Sequence, residues 1–378
     1  MKKALIVLIV VLVGLPLTHI AWGRYRPERV DRQSDEWGRR LDALARAQVF
    51  VPDAPAAEAI GALDLSRDVR PTSPFEPDTP LECRYRPTRT SGTTPKFDCV
   101  LPSGTTIKVK YGANREIHGE VATSRLLAAL GFGADYMAIV DRVRCYGCPR
   151  SPFRTRQVAE WFFLTGVHDR LIDYDDHVDF DAPAVEERIE WRAIEAGDAR
   201  GFGFHELSTV DSSRGGATVA ELDAFRLLAV FLAHWDNKPA NQRIVCIGER
   251  DASPDAPCEL PLLMFHDVGA TFGPSKVDHA GWDAAPVWRD AEGCAVSMQD
   301  MPWRGATFID AVISEEGRQL LASKLAALET HQIEALFRGA RFPDARTGRP
   351  NAEDVTPWVA TFERKVRELS TRTCGQAS

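Results

Sequence analysis

The stretch His234-Trp-Asp236-Asn-Lys238-Pro-Ala-Asn241 sits between a helix and a strand. Upstream, Thr218 with Glu221 three residues on is a capping-box signature, and Leu222, Phe225, Leu228, Ala229 and Leu232 follow at helical spacing. Downstream, Arg243 to Ile247 and Leu260 to Phe265 read as a strand pair, and the second strand delivers His266-Asp267-Val-Gly269. In a compact loop, His-x-Asp-x-Lys-x-x-Asn spacing gathers a carboxylate, an ammonium and an amide oxygen in a small volume. A second carboxylate at the end of a buried strand suits a hard cation, which takes oxygen donors, and the glycine after it frees the turn.

Farther upstream, Cys83 to Pro87, Lys96 to Leu101 and Thr105 to Tyr111 read as three antiparallel strands, the last two joined by the turn Pro102-Ser-Gly104. Ile107-Lys108-Val109-Lys110 places two lysines on one face of the third strand, because side chains alternate with period two. One of the two could reach a phosphate from there. A helix over Glu116 to Leu130 is closed by Gly131, and Glu120 on it is the natural ion-pair partner, with Glu116 one turn earlier as competitor. Ala134 to Val140 returns to strand, Val158 to Leu164 is the expected strand joining the sheet-bearing part to the helical part, and helices follow near 314–338 and 354–369.

Phosphoryl transfer needs a lysine on phosphate, an acid to hold that lysine, an acid beside the attacking hydroxyl, and oxygen ligands for a metal. Each has a candidate here. His234, Asp236, Lys238 and Asn241 match the kinase catalytic loop HRDxKxxN, with Trp235 where arginine usually stands. Asp267-Val-Gly269 resembles the metal-binding DFG element with Val268 in place of phenylalanine, and Glu120 to Gly131 resembles a helix of HipA-type and phosphatidylinositol kinases. The chain therefore resembles the protein-kinase-like superfamily, as an atypical exported member comparable in logic to secretory-pathway kinases. No GxGxxG precedes Lys108; the only loop of suitable character is Thr90-Ser-Gly92-Thr-Thr-Pro-Lys96, and no APE sequence follows Asp267.

This resemblance implies an α+β, two-lobed protein-kinase-like fold: a small antiparallel-sheet lobe with one helix over 81–160 and a larger, mainly helical lobe over 161–378. It implies ATP with magnesium or manganese as cofactors and a hydroxyl-bearing protein, sugar or lipid as acceptor. Asp236 and Lys238 are then catalytic, Lys108, Lys110 and Glu120 bind the nucleotide phosphates, and Asn241 and Asp267 hold metal. The competing readings are a pseudokinase serving as a binding module and an enzyme of the same fold that transfers AMP.

The rest of the chain sets the compartment. Met1-Lys2-Lys3, an uncharged run from Ala4 to Leu17 and Ala21-Trp-Gly23 read as a signal peptide or, uncut, as an N-terminal anchor in the inner membrane. Eight cysteines give the same extracytoplasmic, periplasmic answer, with sequence-local pairings Cys83–Cys99, Cys145–Cys148 and Cys246–Cys258 leaving Cys294 for Cys374. Residues 24–80 are proline-punctuated and read as a tether holding one short amphipathic helix over about 34–48. A net charge of −8, from 54 acids and 46 bases mixed along the chain, argues against a nucleic-acid partner. The basic run from Arg142 to Arg156 reads as an anion site or a stapled loop, and the acidic run from Asp173 to Asp181 as a flexible loop that lacks the EF-hand spacing.

Overall fold

A computed structural model describes residues 27–69, 73, 75, 79–88, 92–155, 176–188, 191–249, 252–290, 293–302, 305–343 and 354–375, with side chains described from 35 onward. The expected leader and the strand at Val158 to Leu164 lie outside these residues. Among the described helices, none is long and apolar enough to cross a membrane.

Eleven strands carry the site: β1 (Leu81–Arg86), β2 (Lys96–Val100), β3 (Thr106–Lys110), β4 (Gly133–Ala134), β5 (Tyr136–Ile139), β6 (Arg142–Tyr146), β7 (His177–Asp181), β8 (Ala184–Glu187), β9 (Arg192–Ala193), β10 (Gln242–Cys246) and β11 (Pro261–Phe265). A mixed seven-stranded sheet has the order β5-β8-β3-β2-β1-β6-β7, antiparallel except between β1 and β6. Alternation divides its residues cleanly. Phe97, Cys99, Ile107, Val109, Val143, Cys145 and Val185 form one apolar cluster, while the lysines of β3 and Glu186 of β8 point to the opposite face.

A second sheet, β4-β11-β10-β9, lies under the helical part. Glu187 ends β8 in the first sheet and Arg192 begins β9 in the second. β7 and β8, beyond residue 160, still belong to the first sheet. Those strands were obscured by their charge. Arg142 and Arg144 on β6 pair with Asp181 at 3.2 Å and Asp179 at 2.8 Å on β7, so parts of the basic and acidic runs neutralise each other across a strand pair.

The helices are α1 (Pro27–Ala45), α2 (Arg115–Leu130), α3 (Val219–Phe231), α4 (Glu315–Ala326), α5 (Thr330–Gly339) and α6 (Thr356–Thr371), with single turns at Ala57–Ile60 and His279–Ala284. Helix α3 starts on the Thr218 and Glu221 capping box and runs through the main core. Trp282 and Trp288 are core residues, Trp282 packed edge-on to Phe272 and Phe337 and stacked on Trp358.

Residues 24–80 are not a simple tether. Ala43, Leu44, Ala47, Val49, Ile60 and Leu65 are all in the main core, and Gln48 hydrogen-bonds along β11 through Pro261 O and Leu263 N, both at 2.8 Å. Buried Arg40 forks onto Glu206 at 2.8 and 2.9 Å. The apolar residues are spaced between prolines and acids, so composition hides them.

All four expected disulfides are present. Cys83–Cys99 joins β1 to β2, Cys145–Cys148 closes the end of β6, Cys246–Cys258 closes the β10–β11 connection, and Cys294–Cys374 ties residues 80 apart.

Candidate active site

Strand β3 and helix α2 build the cationic side. Asn114 caps α2 by accepting from Glu116 N at 3.0 Å, and this entry brings Glu120, a turn and a half later, over the end of β3. Lys110 Nζ lies 2.5 Å from Glu120 Oε1, with the two residues 4% and 1% exposed. Lys108 turns instead to Glu186 of β8, at 2.6 Å, and Lys110 is 3.2 Å from the other oxygen of the same carboxylate. The geometry thus separates the two lysines: Lys110 is the one held by the helix. Burial works against its charge, but Glu120, Glu186 and Asp267 outweigh burial and hold the ammonium above its usual value. Burial likewise opposes ionisation of Glu186, and Lys108, Lys110 and Arg188 bring that carboxyl well below its usual range.

The loop side begins where α3 stops. His234 N donates to Ala229 O and Ala233 N to Val230 O, both at 2.9 Å, a Schellman close with Ala233 in the left-handed region at φ 52° where glycine is usual. The chain then turns sharply into the loop. Trp235 N donates to Ala270 O at 3.3 Å and its indole Nε1 to Gly273 O at 3.2 Å, so the residue in place of arginine anchors the segment beyond Asp267. Lys238 Nζ lies 3.0 Å from Asp236 Oδ2, on the half-exposed rim. Asn237 is a structural clamp, accepting from Thr307 N at 2.7 Å and Phe308 N at 2.9 Å.

Asn241 ties loop to strand. Its backbone carbonyl accepts from His266 N at 3.0 Å and Asp267 N at 3.1 Å. Its side-chain Nδ2 donates to Asp236 O at 2.6 Å, which leaves Oδ1 as the side-chain acceptor not used by this bond. Asp267 completes the set. Carboxylate oxygens of Glu116, Glu120 and Asp267 lie within 4.8 Å of one another, and buried Glu120 Oε2 has no hydrogen-bond partner. Burial alone would raise the Asp267 pKa, but Lys110 and Lys96 overcome it and hold the carboxylate below its usual value. Gly269 is needed for closeness rather than for an unusual turn: a Cβ there would stand 2.1 Å from Glu116 Cγ and 3.1 Å from Glu120 Cγ. The competitor Glu116 is engaged elsewhere, by Lys276.

No family model matches the sequence, and no curated protein matches it. Among solved structures, the crystal structure of the Helicobacter pylori proinflammatory kinase CtkA aligns with a TM-score of 0.42 at 7% identity, covering 78% of this chain and 95% of that one.

Lys110, Glu120 and Asp267 thus share one small volume, Asn241 and Asp236 are joined to it through the loop backbone, and Lys108 stands one carboxylate away. Sequence reasoning missed Glu186. Its signal was charge balance, since two lysines on one strand face call for more than one acid. It also missed the His266 Nδ1 to Asp135 Oδ2 contact of 2.5 Å, which braces the strand end that carries Asp267. Lys96 reads in the sequence as the junction of the loop from Thr90 and a strand, with no role in the site, and β2 sets it directly across from Lys110.

Proposed function

We propose that this chain is an exported, kinase-like phosphotransferase that moves the terminal phosphate of ATP to a hydroxyl of a protein, sugar or lipid. One observation carries the reading: the buried Lys110–Glu120 pair, the Asp267 carboxylate beside it and the Asn241 loop are encoded far apart and meet in one place. The seven-stranded sheet with α2 serves as the smaller lobe and the helical part as the larger. Four disulfides are compatible with an oxidising compartment and with cleavage or retention of a leader over 1–23.

The residues fit a divalent cation, because the unpartnered Glu120 Oε2 and the neighbouring Asp267 and Glu116 oxygens form a cluster of hard donors. Asp267 and Asn241 Oδ1 would hold magnesium or manganese, which neutralises phosphate charge when bound. Lys110, fixed by Glu120, orients the phosphates. Asp236 takes the proton of the acceptor hydroxyl as its oxygen bonds to the γ-phosphorus and the bond to the β–γ bridging oxygen breaks, releasing ADP. Lys238 offsets the charge on Asp236 and on the moving phosphoryl group.

Purified exported protein tests this by thermal unfolding with magnesium and ATP, and by label transfer. At about 100 times Kd the nucleotide stabilises by about 2.7 kcal/mol, a shift of a few degrees that Asp267→Ala abolishes. Equal shifts in wild type and variant would sink the metal–nucleotide assignment. Label transferred from the α-phosphate rather than the γ-phosphate selects AMP transfer, and nucleotide binding with no transfer selects a binding module.

A further inference from the structure

We propose that Lys96 is a second polyphosphate-binding ammonium of this site, opposite Lys110 on the neighbouring strand. The proposal rests on the phosphotransferase reading and extends it to a residue outside the catalytic-loop, helix and Asp267 elements.

Strands β2 and β3 put Lys96 directly across from Lys110 and Asp98 directly across from Lys108. Cross-strand partners point to the same face with Cβ atoms about 5 Å apart, and like charges placed so are destabilising. The two lysines of β3 are compensated by Glu120 and Glu186. Lys96 is not: among the described residues it forms no ion pair, although Asp267 and Glu120 act on it through space along with Lys110 and Lys108. Its head group therefore belongs to the same cleft, half-buried, with no acid of its own. An ammonium in that position costs stability until an anion reaches it.

The surrounding turn fixes the side chain's place. Gly92, at φ 83°, comes so close to Lys96 Nζ that a Cβ there would lie 3.3 Å from it. Buried Thr94 accepts from Asn114 Nδ2 at 3.0 Å, and Tyr111 N donates to Pro95 O at 3.0 Å, so the turn is tied to the head of α2 and the end of β3. Two ammoniums on adjacent strands, one anchored by Glu120 and one lacking an acid, suit an extended anion with several oxygens. A polyphosphate chain is such an anion. A loop without the GxGxxG pattern can thus present phosphate with a side-chain cation.

Isothermal titration of the full chain with tripolyphosphate and, separately, with ATP and magnesium tests the assignment in wild type, Lys96→Met and Lys96→Arg. The expected result is at least about tenfold weaker binding of both probes by Lys96→Met, recovery of most of it by Lys96→Arg, and a ligand-free Tm of Lys96→Met equal to or above wild type. Tripolyphosphate binding unchanged in Lys96→Met overturns the proposal and leaves the phosphotransferase reading standing. A ligand-free Tm lowered by the substitution assigns Lys96 to the fold and also overturns it. Tripolyphosphate taken up through Lys96 by a protein that ignores ATP with magnesium keeps the Lys96 site and removes the phosphotransferase reading. Wild type that binds neither probe ends both.

Discussion

His234 makes acid stability a sensitive probe of this loop. Its ring is 0% exposed, packed edge-on to Phe265 at 5.6 Å, with Nε2 facing the Gln242 amide nitrogen at 3.1 Å. That nitrogen is a donor, so the ring accepts there and a protonated imidazole loses the bond. Burial lowers the His234 pKa from 6.5 to about 4, although Asp267 and Asp236 pull the other way. The sign follows from linkage. A histidine whose folded pKa lies below its unfolded value adds stability that is full above pH 6.5 and is lost as pH falls through about 4. At about 1.4 kcal/mol per pH unit, this one residue is worth about 3 kcal/mol across that window. Denaturant unfolding at steps from pH 7 to pH 4, disulfides intact, should show wild type losing about 3 kcal/mol more than His234→Asn, which cannot titrate. Other acids titrate alike in both proteins and cancel in the difference. Parallel pH profiles would refute the assignment of a neutral, acceptor imidazole.

Gly269→Ala should lower Tm by the equivalent of about 1–3 kcal/mol and remove any stabilisation by ATP with magnesium, because the added methyl meets Glu116 and Glu120; an unchanged Tm would show that the approach of these elements is looser than described. The double variant Cys294→Ser/Cys374→Ser opens a loop of 80 residues and should cost about 4 kcal/mol by chain entropy, read from denaturant midpoints under oxidising conditions. Equal midpoints for the variant and wild type would mean that this bridge does not form in solution.

The parts of the fold legible in the sequence are those whose periodicity is undiluted. Helix α3 is marked by a capping box and an apolar stripe, and the β2–β3 hairpin by alternation around Pro102-Ser-Gly104. Strand β8 has neither signal. Four residues long, it reads Ala-Val-Glu-Glu, and its Glu186 is buried only because two lysines meet it there. A buried acid looks like a surface acid until its partners are known. The N-terminal segment was obscured in a similar way: Val49, Ile60 and Leu65 reach the core one at a time from a proline-rich background, contributing burial without a period.

The site shows the same divide between residue type and pairing. Apart from Glu186 and Lys96, the ionic groups of the site were visible singly, but spacing could not separate Lys108 from Lys110, since both occupy the same face of β3. What separates them is a third element: Glu186 takes Lys108 and shares Lys110, while Glu120 reaches only Lys110. The choice between Glu120 and Glu116 is decided similarly, by Lys276 arriving from beyond Asp267 to engage Glu116. Once those acids are assigned, Lys96 is left, among the described residues, without an ion-pair partner on the cleft face. Pairing within the protein therefore accounts for Lys108 and Lys110, and Lys96 is where that accounting calls for an anion from outside the chain.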